Sequence, residues 1–503
     1  HQLNPFLALV RPEADENHGD VYGFSFVYSG NFVASAEVDQ FHKTRVAMGL
    51  NPFDFSWKLD PGATFQTPEV VMIYSENGIG EMSRTYHRLY RTRLARGVYR
   101  DKERPILVNN WEATYFNFNE EKLLEIADVA AELGLELFVL DDGWFGKRDD
   151  DKTSLGDWYE DRRKLPNGLE GLAEKINNLG LKFGLWVEPE MISPESELYK
   201  KHPDWCLHVK GRRRTLARTQ LILDLTREDV REYIINVMSD IFSRVPLAYV
   251  KWDMNRNMTE IGSACLPADQ QMEVAHRYIL GLYEILEELT TRFPHILFES
   301  CASGGGRFDP GMLYYMPQTW TSDDTDAIER LKIQYGTSIV YPVSAIGAHV
   351  SAVPNHQVGR ITPMETRGHV AMFGTFGYEM DLTKLTDEEK EIVKEQVATF
   401  KEIRKLIQQG DLYRLKSPFE GNETAWMFVS EDKKEAIVFY FRVLSEPFPP
   451  HKRLHLNGLD PDKEYYVVEA DKTFGGDYLM YAGLAIEPKR EDFTSLMFRL
   501  IAE

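Results

Sequence analysis

Tyr249-Val250-Lys251-Trp252-Asp253-Met254-Asn255 and Thr319-Trp320-Thr321-Ser322-Asp323-Asp324-Thr325-Asp326 are two apolar or aromatic runs that end abruptly in carboxylates. A carboxylate at the end of a strand in a parallel α/β barrel is delivered to the face where such folds carry their chemistry. Two acids brought from two strand ends into one pocket are the minimum apparatus for cleaving a glycosidic bond.

Side chains alternate along a strand, so Lys251 and Asp253 share a face that Trp252 does not. Facing a barrel mouth, the Lys251 ammonium would hold Asp253 ionised near neutral pH, as a glycosidase nucleophile requires. Taken alone, a Lys-x-Asp is more often a structural ion pair. The run from Ser322 to Asp326 supplies the second acid, because crowded carboxylates raise one another's pKa and one that stays protonated can donate to a leaving oxygen. By itself this run reads as an acidic turn. Alternation forbids Asp323 and Asp324 from both pointing inward, and the sequence does not choose between them.

Asp141-Asp142-Gly143-Trp144 closes another strand-like run, and its adjacent carboxylates suit hydrogen bonds from neighbouring sugar hydroxyls. A metal site is disfavoured there, since no His residues lie nearby at ligand spacing. Trp111 and Trp186 also stand at strand ends, where an aromatic face suits the C–H face of a pyranose. In Ser300-Cys301-Ala302-Ser303-Gly304-Gly305-Gly306-Arg307 the three glycines let backbone approach a ligand closely. This loop fails as a phosphate cradle because no Gly-Lys-Ser/Thr follows. The one basic cluster, Gly211 to Arg218, reads as a solvated hairpin.

The elements that must position these residues follow a strand-then-helix rhythm from about 105 to 400. Strands are predicted over Ile106–Asn110, Leu135–Leu140, Leu181–Val187, Ala248–Trp252, Ile296–Glu299, Gln318–Ser322, Ile339–Ser344 and Val370–Phe376. Helices are predicted over Glu120–Leu133, Gly168–Leu179, Arg227–Arg244 and Gln270–Arg292. Eight such strands over some 300 residues have the size and repeat of a (β/α)8 TIM barrel. An open doubly wound sheet is the alternative, but no G-x-G-x-x-G follows an early strand, and polar residues mark nearly every strand end. The reading is therefore a multidomain α/β chain. Residues 1–79 form part of an N-terminal β-sandwich, with strands over Val21–Tyr28, Phe32–Val38, Asp54–Lys58 and Val70–Tyr74. A linking helix occupies 80–104, the barrel 105–405, and an antiparallel C-terminal β domain 406–503, after a helix near 386–408.

At 503 residues the chain has room for two or three buried cores, and 43% hydrophobic with 27% charged residues is an ordinary globular balance. A formal charge of −21 argues against nucleic acid and fits a neutral substrate. Cys206, Cys265 and Cys301, an odd count, make no disulfide framework and point to a reducing, cytoplasmic setting. No apolar stretch approaches the ~18 residues of a membrane helix. The opening His1-Gln2-Leu3-Asn4 has neither a basic n-region nor an initiator Met, as in a processed or truncated product.

Together these segments resemble glycoside hydrolase family 36, the retaining α-galactosidases, and in particular its larger bacterial members. The resemblance rests on Lys251-Trp252-Asp253-Met254-Asn255-Arg256, Asp141-Asp142-Gly143-Trp144, Cys301-Ala302-Ser303-Gly304-Gly305-Gly306-Arg307 and Ser322-Asp323-Asp324-Thr325-Asp326, in that family's pattern. It implies Asp253 as nucleophile and Asp323, rather than Asp324, as acid/base. It implies that Asp141 and Asp142 hold the 4- and 6-hydroxyls of galactose, and that Lys251, Arg218, Trp111, Trp186, Cys301, Gly304 and Asn255 complete the pocket. Arg218 thereby becomes a ligand rather than part of a solvated hairpin. A galactosyl oligosaccharide of the melibiose or raffinose type is the implied substrate, with no cofactor, metal, nucleic acid or membrane partner. Relatives of this type carry a longer N-terminal β-supersandwich that contributes to tetramer contacts and lends residues to a neighbouring pocket, and only its last part is expected here. Galactosyl transfer of the raffinose-synthesis type, an inactive sugar-binding form and a metal-dependent barrel hydrolase are the alternatives. An N-acetylgalactosaminidase is disfavoured because Cys301 and Gly304 match the galactose-type pocket.

Overall fold

The computed structural model describes residues 3–487 and 489–503; His1, Gln2 and Pro488 lie outside them. In the N-terminal part, β1 (Phe6–Val10), β2 (Val21–Val27) and β5 (Glu69–Ser75) form an antiparallel sheet in the order β1-β2-β5, while β3 (Phe32–Val38) and β4 (Thr44–Leu50) pair separately. The strand expected over Asp54–Lys58 does not form. Asp54 adopts φ 57, which breaks an extended run. The segment instead docks on the barrel: the Lys58 N–H donates to Glu273, and the Trp57 ring meets His276 edge-on. A helix from Gly78 to Leu89, continued by a π-helical turn, joins this part to the barrel and buries Met82, Tyr86 and Tyr90.

The barrel strands are β6 (Leu107–Asn109), β7 (Leu137–Leu140), β8 (Lys182–Val187), β11 (Leu247–Trp252), β12 (Leu297–Ser300), β13 (Gln318–Trp320), β14 (Ile346–Ser351) and β15 (Thr375–Glu379). All neighbours are parallel, and β8 pairs with β11 and β15 with β6, so the ring closes. A small hairpin, β9 (Met191–Ile192) with β10 (Leu221–Ile222), stands above β8. The strands are short, nearly continuous apolar runs because both of their faces are covered. Helices such as Glu120–Glu132, Gly168–Asn178, Glu228–Arg244 and Val274–Arg292 supply the outer cover, each burying one apolar stripe.

Two strand predictions were placed too early. In place of Ile339–Ser344, Pro342 leads into a 3-10 turn at Val343–Ala345, and the strand begins at Ile346. In place of Val370–Phe376, a helix runs from Met364 to Ala371 and the strand begins at Thr375. Apart from the half-buried Ile339 both segments are buried, so apolarity could not mark where the helical turn gave way to strand.

A helix from Asp387 to Gln409, started by the reciprocal Thr386/Glu389 capping box, leads into the C-terminal sheet. That sheet holds β16 (Asp411–Lys416), β17 (Glu423–Val429), β18 (Glu435–Arg442), β23 (Thr494–Ala502), β20 (Glu464–Val467) and β21 (Lys472–Gly475) in that spatial order, all antiparallel. β19 (Lys452–Leu454) and β22 (Leu484–Ile486) pair beside it. Period-2 alternation divides the sheet: Trp426 and Phe428 pack on Phe373 of the barrel, whereas Met427 and Val429 join a separate C-terminal core. No helix among the described residues is long and apolar enough to cross a membrane.

Candidate active site

Asp253 stands one residue past β11, and its N–H donates to the Val187 carbonyl at 2.8 Å, carrying the ladder one step beyond β8. Its Oδ2 accepts from Trp186 Nε1 at 3.1 Å and Asn255 Nδ2 at 2.7 Å, and its Oδ1 accepts from the Met254 N–H at 2.9 Å. Three donors thus fix both oxygens of a nearly buried carboxyl. Trp186, predicted to offer an aromatic face, lies inside the wall and uses its indole N–H on Asp253.

Lys251 does not pair directly with Asp253 as expected. Its ammonium donates to Asp141 Oδ2 at 2.9 Å, and Asn109 Nδ2 donates to the same oxygen at 2.6 Å. Burial pushes the Lys251 ammonium down, but the negative charges of Asp141, Glu379 and Asp253 outweigh it and hold its pKa well above the ordinary value. Lys251 and Asp253 therefore make no ion pair with each other. The neighbouring Asp142 is gripped by Arg148 through two bonds of 2.6 and 2.8 Å. Trp111 opens the short helix Trp111–Thr114 at the rim, its N–H on Asn109 Oδ1 at 2.7 Å, so Asn109 orients both Asp141 and Trp111.

Asp323 lies in the loop after β13, where Trp320 Nε1 donates to its Oδ1 at 3.1 Å. Burial, and next the charge of Asp253, push the Asp323 carboxyl above its ordinary range. Crowding within its own run is not the cause. Asp324 accepts the Asp326 N–H, and Asp326 caps the helix Ala327–Thr337 by accepting from Ile328 and Glu329. The strand periodicity expected for Gln318–Ser322 ends at Trp320, so alternation never governs residues 323 and 324.

The glycine run has a close-packing role. Gly304 sits at φ +78, and a Cβ there would come within 2.6 Å of the Asp323 nitrogen and of Ser322 Cα. At Gly305 a Cβ would lie 2.4 Å from the Thr321 carbonyl oxygen. The loop after β12 therefore presses directly on the loop that carries Asp323. The Ser303 N–H and Oγ each donate to Asn255 Oδ1 at 3.0 Å, and Arg218 Nη1 donates to Ser303 Oγ at 3.0 Å. Arg218, Ser303, Asn255 and Asp253 form one hydrogen-bonded chain from rim to floor. Cys301 is buried beside them with its N–H on the Trp252 carbonyl. Burial first, then Asp253, push its thiol far up, which keeps it neutral. Cys206, Cys265 and Cys301 are all free.

Several acids here were not foreseen. Glu188 accepts the Asn255 N–H at 2.7 Å, and burial together with Asp253 pushes its pKa up to about 8. Glu112 accepts from Thr325 at 2.8 Å, and burial together with Glu379 pushes it up to about 9. Glu379 is itself driven up by burial, but His349 and Lys251 outweigh this and hold it low, so the negative charge of that pair sits on Glu379. Just past the carboxyl end of β8, Glu190 accepts from both Arg307 nitrogens (2.8 and 3.0 Å), Trp252 Nε1 (2.8 Å) and the Tyr278 hydroxyl (2.7 Å). Trp186-Val187-Glu188-Pro189-Glu190 has the same apolar-run-then-acid pattern as the segment at 253 and could have been found by it. Among the described residues, no group of three His, Cys, Asp or Glu side chains is placed to hold a metal ion.

Residues 64–410 match the Melibiase family, residues 1–60 the glycosyl hydrolase family 36 N-terminal domain, and residues 423–500 its C-terminal domain. The chain is 67% identical over 502 residues to alpha-galactosidase AgaA of Geobacillus stearothermophilus, covering 100% of this chain and 69% of that protein. It is 53% identical to alpha-galactosidase Mel36A of Lactobacillus acidophilus, with 100% and 68% covered. The crystal structure of the Geobacillus enzyme superposes with a TM-score of 0.99, covering 100% of this chain and 70% of that one. A variant of that enzyme in complex with raffinose, 66% identical, gives 0.99 with the same coverage.

Proposed function

The chain belongs to glycoside hydrolase family 36, and on that premise we propose that Asp253 and Asp323 carry out a retaining double displacement at a terminal α-galactosyl unit. The enzyme is an α-galactosidase acting on melibiose- and raffinose-type oligosaccharides. Asp253 attacks C1 while Asp323 gives its proton to the departing glycosidic oxygen, forming a β-galactosyl ester. Asp323, now a carboxylate, then takes a proton from water as the water attacks C1, and α-galactose is released. The observation that carries this reading is the contrast between the two acids. Asp253 is held by three donors at the end of β11, and Asp323 is driven toward its protonated form by burial and by Asp253 itself. An acid that works protonated loses activity as pH rises through its pKa, so the raised pKa of Asp323 moves the basic limb above the ordinary carboxylate range.

Asp141, Asp142, Lys251, Trp111, Trp186, Arg218, Asn255, Cys301 and Gly304 are assigned to the galactose pocket. Asp141 and Asp142, with their orienting Asn109 and Arg148, would be left unsatisfied by a glucoside lacking the axial 4-hydroxyl, which is the physical basis of selection. Three free cysteines support a reducing, cytoplasmic setting. Proton NMR of p-nitrophenyl α-galactoside hydrolysis, recorded before mutarotation, tests the stereochemistry: α-galactose is expected first, and β-galactose first would mean inversion. Trisaccharide as the main product at high melibiose would favour galactosyl transfer instead.

A further inference from the structure

The acid loop is held in an uneven way. Arg330 is buried, and its guanidinium donates to the carbonyls of Ser322 (2.5 Å) and Asp324 (2.6 Å) on either side of Asp323, and to Gly347 at 3.0 Å. The carbonyl of Asp323 itself accepts from Gln357 Nε2 at 3.0 Å. These contacts fix the backbone of residue 323 and leave its carboxyl free to rotate. Among the described residues one side chain donates to that carboxyl: Trp320, through Nε1 on Oδ1.

The Trp320 ring is itself held. It stacks on His349 with centroids 4.4 Å apart, and His349 Nδ1 lies 3.2 Å from Glu379 Oε2. The Arg330 guanidinium sits 4.5 Å from its centroid. The ring is 2% exposed, so it cannot swing away. An N–H fixed on Oδ1 leaves Oδ2 as the oxygen that carries the proton toward the substrate.

We propose that Trp320 is the positioning residue for Asp323, its indole N–H setting which carboxyl oxygen protonates the departing group and stabilising the carboxylate left behind. This rests on the assignment of Asp323 as acid/base in the reading above. A donor on Oδ1 strengthens as the carboxyl loses its proton, so it assists the step in which charge develops there. Its sign is opposite to that of burial: it favours the ionised form and keeps the acid from becoming too weak to give up its proton.

The test is Trp320→Phe, which keeps a ring between His349 and Arg330 but deletes the N–H. Turnover of melibiose, whose leaving group needs a proton, is expected to fall roughly tenfold or more. Formation of the galactosyl-enzyme from 2,4-dinitrophenyl α-galactoside, whose leaving group needs none, should fall only about two- to threefold. The basic limb of kcat/KM for melibiose should move to higher pH. The other charged or titratable groups facing Asp323 remain in place: Asp253 and Lys251 at β11, Cys301 after β12, Glu379 on β15, Glu112 at the rim and Arg330. The shift therefore reports the lost N–H. Equal losses on both substrates with an unmoved pH profile would reduce Trp320 to packing and overturn the proposal, as would no loss at all. If the Phe variant is unstable to heat, benzothienylalanine at position 320, isosteric but without the N–H, must give the same split or the proposal fails. A separate control isolates the underlying assignment: Asp323→Ala without leaving-group dependence would remove Asp323 from the acid role whatever Trp320 does.

Discussion

Asp253→Ala is expected to lower kcat for p-nitrophenyl α-galactoside by a factor on the order of 10^4 or more, because no other group can form the ester through which both half-reactions pass. Glu188 is the nearest candidate to stand in, and it is unsuited. Burial and the charge of Asp253 push it toward its neutral form, and its Oε1 is engaged by the Asn255 N–H. The loss should appear with little change in thermal stability, since water taking the space vacated by the carboxylate can hydrate the freed Trp186 and Asn255 donors. Steady-state assays with enzyme of verified circular dichroism provide the check. Retention of more than a small percentage of the rate would remove Asp253 from the nucleophile role.

The largest effect on stability is expected from Glu190→Ala. This carboxylate is fully buried and accepts from Arg307, Trp252 and Tyr278, tying the ends of β8 and β11 to the loop after β12 and to the helix Val274–Arg292. Removing it takes from the buried Arg307 guanidinium the carboxylate bonded to it and leaves only the more distant Asp309, which costs about 3–5 kcal/mol. Urea unfolding of the barrel, followed by tryptophan fluorescence, measures this; a loss below about 1 kcal/mol would mean that water satisfies Arg307 and that the network is not structural. Activity should fall as well, because Trp252 immediately precedes Asp253 and Arg307 closes the glycine run that packs on Asp323. Glu190→Gln keeps the shape and the hydrogen-bond acceptor but not the charge, so its cost should be intermediate.

The barrel was legible because its signal is local: short apolar runs ending in polar residues, with amphipathic stretches between them. Legibility failed where burial was uniform. The segments around Pro342 and Val370 are apolar whether helical or extended, so only the proline and the tertiary packing decide where β14 and β15 begin. Asp54–Lys58 failed for another reason, since its aromatic residues serve a contact with a barrel helix more than 200 positions away. In the site, residue identity at strand ends marked Asp253, Asp141 and the region of Asp323, but pairing was beyond reach. That Lys251 goes to Asp141, that Arg148 takes Asp142 and that Trp320 reaches Asp323 are facts of three dimensions, set by which strands are neighbours and how loops fold back. Gly304 was read as making room for a ligand, whereas what it visibly makes room for is the backbone of Ser322 and Asp323.

Azide trapping separates the two acids by product geometry. With p-nitrophenyl α-galactoside, whose leaving group departs unaided, azide entering the space vacated in Asp253→Ala should attack C1 directly and give β-galactosyl azide. In Asp323→Ala the ester on Asp253 still forms, and azide displaces it from the opposite face to give α-galactosyl azide. NMR of the two products is the decisive reading. β from the first variant and α from the second would establish which acid attacks and which donates; the reverse pairing, or the same anomer from both, would contradict it.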